Sequence, residues 1–417
     1  MVRIAKKIIN PLIIGWGRTP VKWVWKKPRD ATEHINILIS QTIHPLWQSK
    51  FRKSTIRLIY LYMLVIWPVR AILLTIHNSR KFGSQVKKLY GIGVLAQISH
   101  QLEMGLLHNA SPEFYYLYEL FVADRRKDAR YYFSGSKASV LFALLNEFRS
   151  NSLIEDKLNF EQILRQEKFP VPGTIATIYD GNIEFLEPHG GEFPYRDFIV
   201  KPNNGQQGES VYLFEYLGNN SWQGSNSIEY NENSLKEFLS KISINRLYLI
   251  QPRLVNHPNV AELTSKGFST IRIVTGIDTS GYVECITAVF KMPVGSGIAD
   301  NYAAGGIAAS VDLKTGMLGK AVSKVILSDR IVNHPDSGAK ILGQVLPYWD
   351  EVVQLATNAH KCFVDYVFLG WDIGVTDAGP VILETNLLWD VVLMQRPHML
   401  PLGKGKFMEI CADHLDS

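Results

Sequence analysis

The chain has 417 residues, of which 46% are hydrophobic and 20% charged, with three cysteines and a formal net charge of +5. That length suffices for two or three packed domains, and the composition excludes a disordered polypeptide. Cys285, Cys362 and Cys411 lie far apart without a CxxC spacing, which excludes a disulfide framework and a thiolate zinc site and fits a reducing compartment.

The charge is unevenly divided. Residues 1–100 hold 17 Lys and Arg against Asp30 and Glu33, a balance of +15 that leaves −10 for the remainder. The asymmetry predicts that the N-terminal part faces something anionic, a phospholipid surface, an acidic glycan or nucleic acid, unless it is simply a solvated basic face. The opening MVRIAKKIINPLIIGWGRTP is basic, but its apolar stretch is short and no small-residue cleavage site follows, so no secretory signal is expected.

Residues 56–76, IRLIYLYMLVIWPVRAILLTI, are the most apolar stretch and approach the ~20 residues that span a bilayer. Arg70 would cost about 2.5–3.5 kcal/mol at mid-membrane, and Pro68 weakens the helix. Basic clusters flank both ends and give no orientation. The stretch fits a helix lying in a membrane interface better than a span, with a buried core helix as the alternative. Residues 84–150 read as helical, with Ser111 and Pro112 as a helix start and the aromatic run Phe114–Phe121 as core packing.

From about residue 151 the texture changes to β-branched runs between Gly, Asn and Asp turns: FIVKP, SVYLFEYL, RLYLIQPRL, STIRIVTGI, GYVECITAVFKM and GPVILETN. Helical stretches such as SLKEFLSKI and WDEVVQLATNAHKCFVDY fall between them. The pattern predicts an α+β body rich in antiparallel pairs. Three regions are expected: a basic, apolar, helical 1–100, a helical lead-in 101–150, and a catalytic 151–417.

The chemistry concentrates in three places. Strand Phe198–Pro202 ends at Lys201 and runs into Asn203, Asn204, Gly205, Gln206, Gln207, Gly208, Glu209 and Ser210 before the next strand. Glycines turn backbone N–H groups toward phosphate oxygens, and a strand-end Lys adds a point charge, although the same pattern also makes a plain hairpin. Lys157, ahead of a helical stretch, offers a second cation. The strand ending at Gln251-Pro252 offers exposed backbone groups to an adenine edge. Last, Gly370-Trp371-Asp372 is followed by Leu383-Glu384-Thr385-Asn386, where the strand period sends Glu384 and Asn386 to one face with Asp372 brought beside them. Such hard oxygen donors suit Mg²⁺ held jointly with substrate phosphates. His334, His360 and His398 stand isolated and are expected to be structural.

In this order, Lys, glycine loop with strand-end Lys, hinge, then Asp and Glu-x-Asn, the chain resembles the ATP-grasp superfamily, and most of all the sugar-transfer associated ATP-grasp family. The resemblance covers roughly residues 150–400 and includes Gln251-Pro252-Arg253-Leu254, His257-Pro258, Ser269–Thr275, Asp300-Asn301 with Gly305-Gly306, Val311–Gly316 and His334-Pro335. It departs in Gln206-Gln207, where small residues are frequent, and in Asp372, where many members have Glu. It implies an ATP-grasp fold of two α+β subdomains, with ATP and Mg²⁺ as cofactors. Lys157 and Lys201 would contact the phosphates, and the loop carrying Asn204, Gly205, Gly208 and Ser210 would close over them. Gln251 would lie at the adenine hinge, Asp372, Glu384 and Asn386 would hold Mg²⁺, and Arg272 would act with Lys201 at the transferred phosphoryl group.

The resemblance further implies a carboxylate-amine ligase that works through an acyl phosphate on a sugar-derived acceptor in cell-surface polysaccharide assembly. It would be cytoplasmic and peripheral to the inner face of the cell membrane if residues 1–90 bind anionic lipid. Its rivals are a phosphotransferase acting on a sugar hydroxyl and a non-catalytic assembly protein at the membrane. Nucleic acid is not expected, because no reader motif accompanies the basic charge.

Overall fold

A computed structural model describes Thr32, Ile35 and residues 53–416, except 109, 147–151, 187–192, 206–209, 265–266, 296–301, 303–304 and 329. Gln206, Gln207, Gly208 and Glu209 of the glycine loop, and Asp300 and Asn301, therefore lie outside the described residues.

Helices come first. α1 (Lys53–Tyr90) contains Pro68 and packs along α2 (Val94–Leu107). Among the described residues no helix is long and apolar enough to cross a membrane, so the spanning alternative for 56–76 is not met. The buried side of α1 carries Trp67, Ala71, Thr75, Asn78, Ser79 and Val86, while Val65, Val69, Ile72, Leu73 and Ile76 are exposed. Part of this helix is thus core, as the alternative reading has it, and part is not.

The predicted helix start at Ser111-Pro112 needs correction. α3 is a single turn, Phe114–Leu117, with Glu113 at its N-cap and no side-chain cap. Ser111 contributes its carbonyl to the Phe114 N–H, and Glu119 turns left-handed at φ 52° just beyond. A left-handed residue cannot continue a right-handed helix. The aromatic run is core, as expected: Phe114, Tyr115, Tyr116, Tyr118 and Phe121 form one buried cluster with Val86 and Met104.

Two antiparallel sheets follow, and this is the α+β body that the strand texture predicts. The first has seven strands, β1 (Ala176–Tyr179), β2 (Asn182–Phe185), β3 (Phe198–Pro202), β4 (Tyr212–Gly218), β5 (Ser221–Gly224), β6 (Glu229–Asn231) and β7 (Tyr248–Pro252), in the order β2-β1-β7-β3-β4-β5-β6. The second has six, β8 (Thr270–Ile277), β9 (Val283–Met292), β10 (Ile307–Val311), β11 (Leu318–Ser323), β12 (Phe368–Thr376) and β13 (Gly379–Asn386), in the order β11-β10-β9-β8-β12-β13.

Period-two alternation decides what each face does. Phe198 and Val200 of β3 pack with Phe214, Trp222 and Ile250 beneath Leu235 and Leu239 of a helix over Glu232–Ile242. The intervening Ile199 and Lys201 therefore point away from that core, into a cleft. In the second sheet Ile271, Ile273, Trp371, Ile373 and Ile382 pack on Val352, Leu355, Ala356 and Ala359 of helix Trp349–His360, whose spacing of three and four residues makes one apolar stripe. Full burial of each such Val or Leu contributes about 1.5–3 kcal/mol. Its opposite face is covered at one end by α4 (Gly135–Leu145) and the C-terminal helices, through Phe142, Trp389 and Phe407. The other end opens on the same cleft.

Lys137 of α4 is buried at 3% exposure, and its ammonium has no hydrogen-bond partner among the described residues. Burial pushes it down to about 8 from 10.5. Below pH 8 both states are protonated and the fold bears the whole cost, while between 8 and 10.5 the unfolded chain holds more protons and stability rises with pH. Lys137→Met is expected to raise unfolding stability by about 3 kcal/mol at pH 7, with the gain vanishing near pH 10.5. Urea unfolding of both proteins at the two pH values checks this.

Candidate active site

The cleft between the sheets has a volume of about 1870 Å³. Its first wall is built by α5 (Lys157–Gln166), β3 and the loop after it. Asp156 caps α5 by accepting from the Asn159 N–H at 2.9 Å, and Asn203 Oδ1 accepts from the Leu158 N–H at 2.9 Å. The helix start is thereby tied to the loop. Lys157 Nζ donates to the Gly205 carbonyl at 2.7 Å and lies 3.9 Å from Glu384 Oε2. A Cβ on Gly205 would come within 2.5 Å of Pro202 Cγ, so the close turn needs glycine there. Asn204 and Gly205 line the cleft. Ser210, at φ 60°, hydrogen-bonds the Tyr212 hydroxyl and sits at the end of the loop, outside the lining residues.

Lys201 projects from the middle of this wall. Burial brings its ammonium down to about 8, with Glu384 pulling it back up and Lys157 lowering it further. A lysine placed so is ready to gain from a polyanion, since phosphate oxygens would supply the counter-charge that the fold leaves incomplete.

The second wall is set by strand register. Arg272 of β8 stands opposite Asp372 of β12, and Asp372 stands opposite Glu384 of β13. Arg272 donates from Nε to Asp372 Oδ1 at 2.7 Å and from Nη2 to Oδ2 at 2.6 Å, a bidentate pair. Lys291 of β9 adds a third member at 3.1 Å from Oδ1. Burial raises the Asp372 carboxyl, but Arg272 and Lys291 more than offset it and hold the group well below the usual carboxylate range. Glu384 stays partly exposed, and Asn386 Nδ2 reaches its Oε1 at 3.5 Å.

The structure thus brings Lys157, Lys201, Asn204, Gly205, Gln251, Arg272, Asp372, Glu384 and Asn386 to one cleft. One expectation changes. Asp372 shares the row with Glu384 as expected, but its carboxylate is turned to Arg272 and Lys291. The Gln251 side chain is 1% exposed, and its amide donates to Glu161 at 2.6 Å and to Thr174 at 3.1 Å, while Pro252, Arg253 and Leu254 just beyond it are part-exposed and line the cleft. β7 pairs with β1 over Tyr248–Ile250, and at Gln251 it pairs with β3 alone, opposite Ile199. Lys291 was not singled out from the sequence, and the available signal was one ammonium in the otherwise apolar run ITAVFKM. The histidines are structural in geometry. His360 bonds Thr275 and the Tyr366 carbonyl and is lowered by burial to about 4, His334 bonds the Pro293 carbonyl, and His398 bonds the Ala288 carbonyl.

Two antiparallel α+β layers that close on a cleft, with lysines on one wall and carboxylates on the other, define an ATP-grasp protein. The chain belongs to the sugar-transfer associated ATP-grasp family, whose model matches residues 137–402. Comparison with curated proteins finds no match. Among solved structures it is similar to an L-amino acid ligase from Bacillus licheniformis, at 13% identity over 61% of this chain and 46% of that one, TM-score 0.32. It is also similar to N5-carboxyaminoimidazole ribonucleotide synthetase from Thermotoga maritima, at 13% identity over 65% of this chain and 57% of that one, TM-score 0.32. A D-alanine–D-alanine ligase from Bacillus anthracis aligns at 13% identity over 63% of this chain and 68% of that one, TM-score 0.33. The chain spans about half the length of the first two.

Proposed function

We propose that the protein is a Mg-ATP-dependent ligase that activates a carboxylate as an acyl phosphate and joins it to an amine, on a sugar-derived acceptor of cell-surface polysaccharide synthesis. The observation that carries this reading is the convergence of Lys157, at the start of α5, and Lys201, on β3 of the first sheet, toward Glu384 on the second sheet, with the Arg272–Asp372–Lys291 row beside it.

A carboxylate oxygen attacks the γ-phosphorus of ATP, the bond to the ADP oxygen breaks, and the amine then attacks the acyl carbon, loses a proton and expels phosphate. Lys157 and Lys201 bind the phosphates, and Ile199, Pro172 and Leu254 supply apolar surface for a flat base. Arg272 and Lys291 balance the charge that develops on the transferred group, and Asp372 keeps both pre-oriented. Glu384 and Asn386 offer the single carboxylate and neutral oxygen that suit Mg²⁺ shared with phosphates, and Asp372 lies next in the row. The metal, when bound, neutralises phosphate charge.

Hydroxylamine traps an acyl phosphate as a hydroxamate. Incubation with Mg-ATP, hydroxylamine and a panel of uronates and amino acids is expected to give hydroxamate for one carboxylate class. ADP release on a sugar without hydroxamate would transfer the reading to a phosphotransferase, and neither product with any acceptor would favour a non-catalytic assembly protein.

A further inference from the structure

The exposed residues Val65, Val69, Ile72, Leu73 and Ile76 recur on α1 at spacings of three and four, so they form one apolar stripe on the side away from Trp67, Ala71, Thr75 and Val86. The stripe is continued toward the C-terminus by Arg80 and Lys87, four and eleven residues beyond Ile76. Arg70, His77, Lys81 and Lys88 follow one edge of it at spacings of seven, four and seven. From Lys53 to Tyr90 the sequence contains no Asp or Glu. A core-facing helix has no use for a second apolar face, and a solvated one has no use for five exposed aliphatics in register.

We propose that this face of α1 docks the protein on an anionic lipid surface, with the aliphatic stripe in the headgroup boundary and the basic edge on lipid phosphates. The basic groups on this face complement lipid phosphates, and α1 itself carries no acidic residue to oppose them. Glu113, which lines the cleft, is raised by burial and pulled down by Arg70 on the stripe's edge.

The test is sedimentation of the full chain with vesicles of phosphatidylcholine alone and of phosphatidylcholine mixed with phosphatidylglycerol. Binding is expected only to the mixed vesicles and is expected to weaken with salt. Val69→Asp with Leu73→Asp should abolish it, and Arg80→Glu with Lys87→Glu should weaken it roughly tenfold or more and flatten the salt dependence. Both pairs are exposed, so the unfolding midpoint should match the wild type. Absence of vesicle binding, or binding unchanged in both variants, overturns the proposal. So does a change of oligomeric state in Val69→Asp with Leu73→Asp while vesicle binding persists, because the stripe would then be covered by protein.

Discussion

Lys201→Met is expected to lower hydroxamate formation by at least about 10²–10³-fold, the range seen when one donor to a developing oxyanion is removed. The substitution keeps the length of the side chain and removes its charge, and the desolvated pocket between Ile199 and Pro202 favours an apolar group, so the fold should tolerate it well. Stability of the unliganded protein should rise at pH 7, since the desolvated ammonium now costs free energy. Activity and stability moving in opposite directions would identify a residue kept for its ligand. The wild type should show the same group by titration. With the free-enzyme ammonium at about 8, kcat/KM for ATP should be level below that pH and fall above it as the cation is lost. In Lys201→Met this alkaline limb should be absent, and a retained limb would assign it to another group.

Arg272→Met is expected to act on both stability and reaction. It leaves the Asp372 carboxylate, 5% exposed, with Lys291 as its remaining cation. Removing one partner of a buried pair costs about 3–5 kcal/mol. Arg272→Lys should recover part of the stability but little of the rate, because an ammonium cannot make the two parallel bonds to Oδ1 and Oδ2. The pair also fixes an acid limit. Since the folded carboxyl lies below its unfolded value, its contribution is complete above about pH 4 and is lost as pH falls further. Wild-type stability should decline through that window and Arg272→Met should decline less. Equal slopes in urea unfolding at pH 3 and pH 6 would remove Asp372 as the group responsible.

Much of this wall was legible because strand parity is local. Thr270 and Arg272 share a face, as do Glu384 and Asn386, whatever the strands pair with. The same rule sets Ile199 and Lys201 apart from Phe198 and Val200. Lys291 was not legible, because its meaning depends on β9 lying beside β8 with Thr270 opposite Lys291, a pairing that short-range pattern does not encode. The turn of the Asp372 carboxylate toward Arg272 has the same origin, as the two residues are 100 apart in sequence and meet only because β12 inserts between β8 and β13. The hydrogen bonds of the Gln251 side chain to Glu161 and Thr174 were not legible either, because these partners lie 90 and 77 residues away. Short strands such as Glu229–Asn231 lie in turn-rich sequence and carry no periodic signal of their own.

The central claim is a nucleotide site between the two sheets that depends on Lys201 and Glu384. Thermal unfolding with and without Mg-ATP, in the wild type, Lys201→Met and Glu384→Ala, tests it most directly. Nucleotide at about 100 times its dissociation constant should add about 2.7 kcal/mol of stability to the wild type. Both variants should fold and lose that gain, and the gain should need the metal. A stabilisation that persists in both variants, or a wild type that gains nothing, would contradict the account.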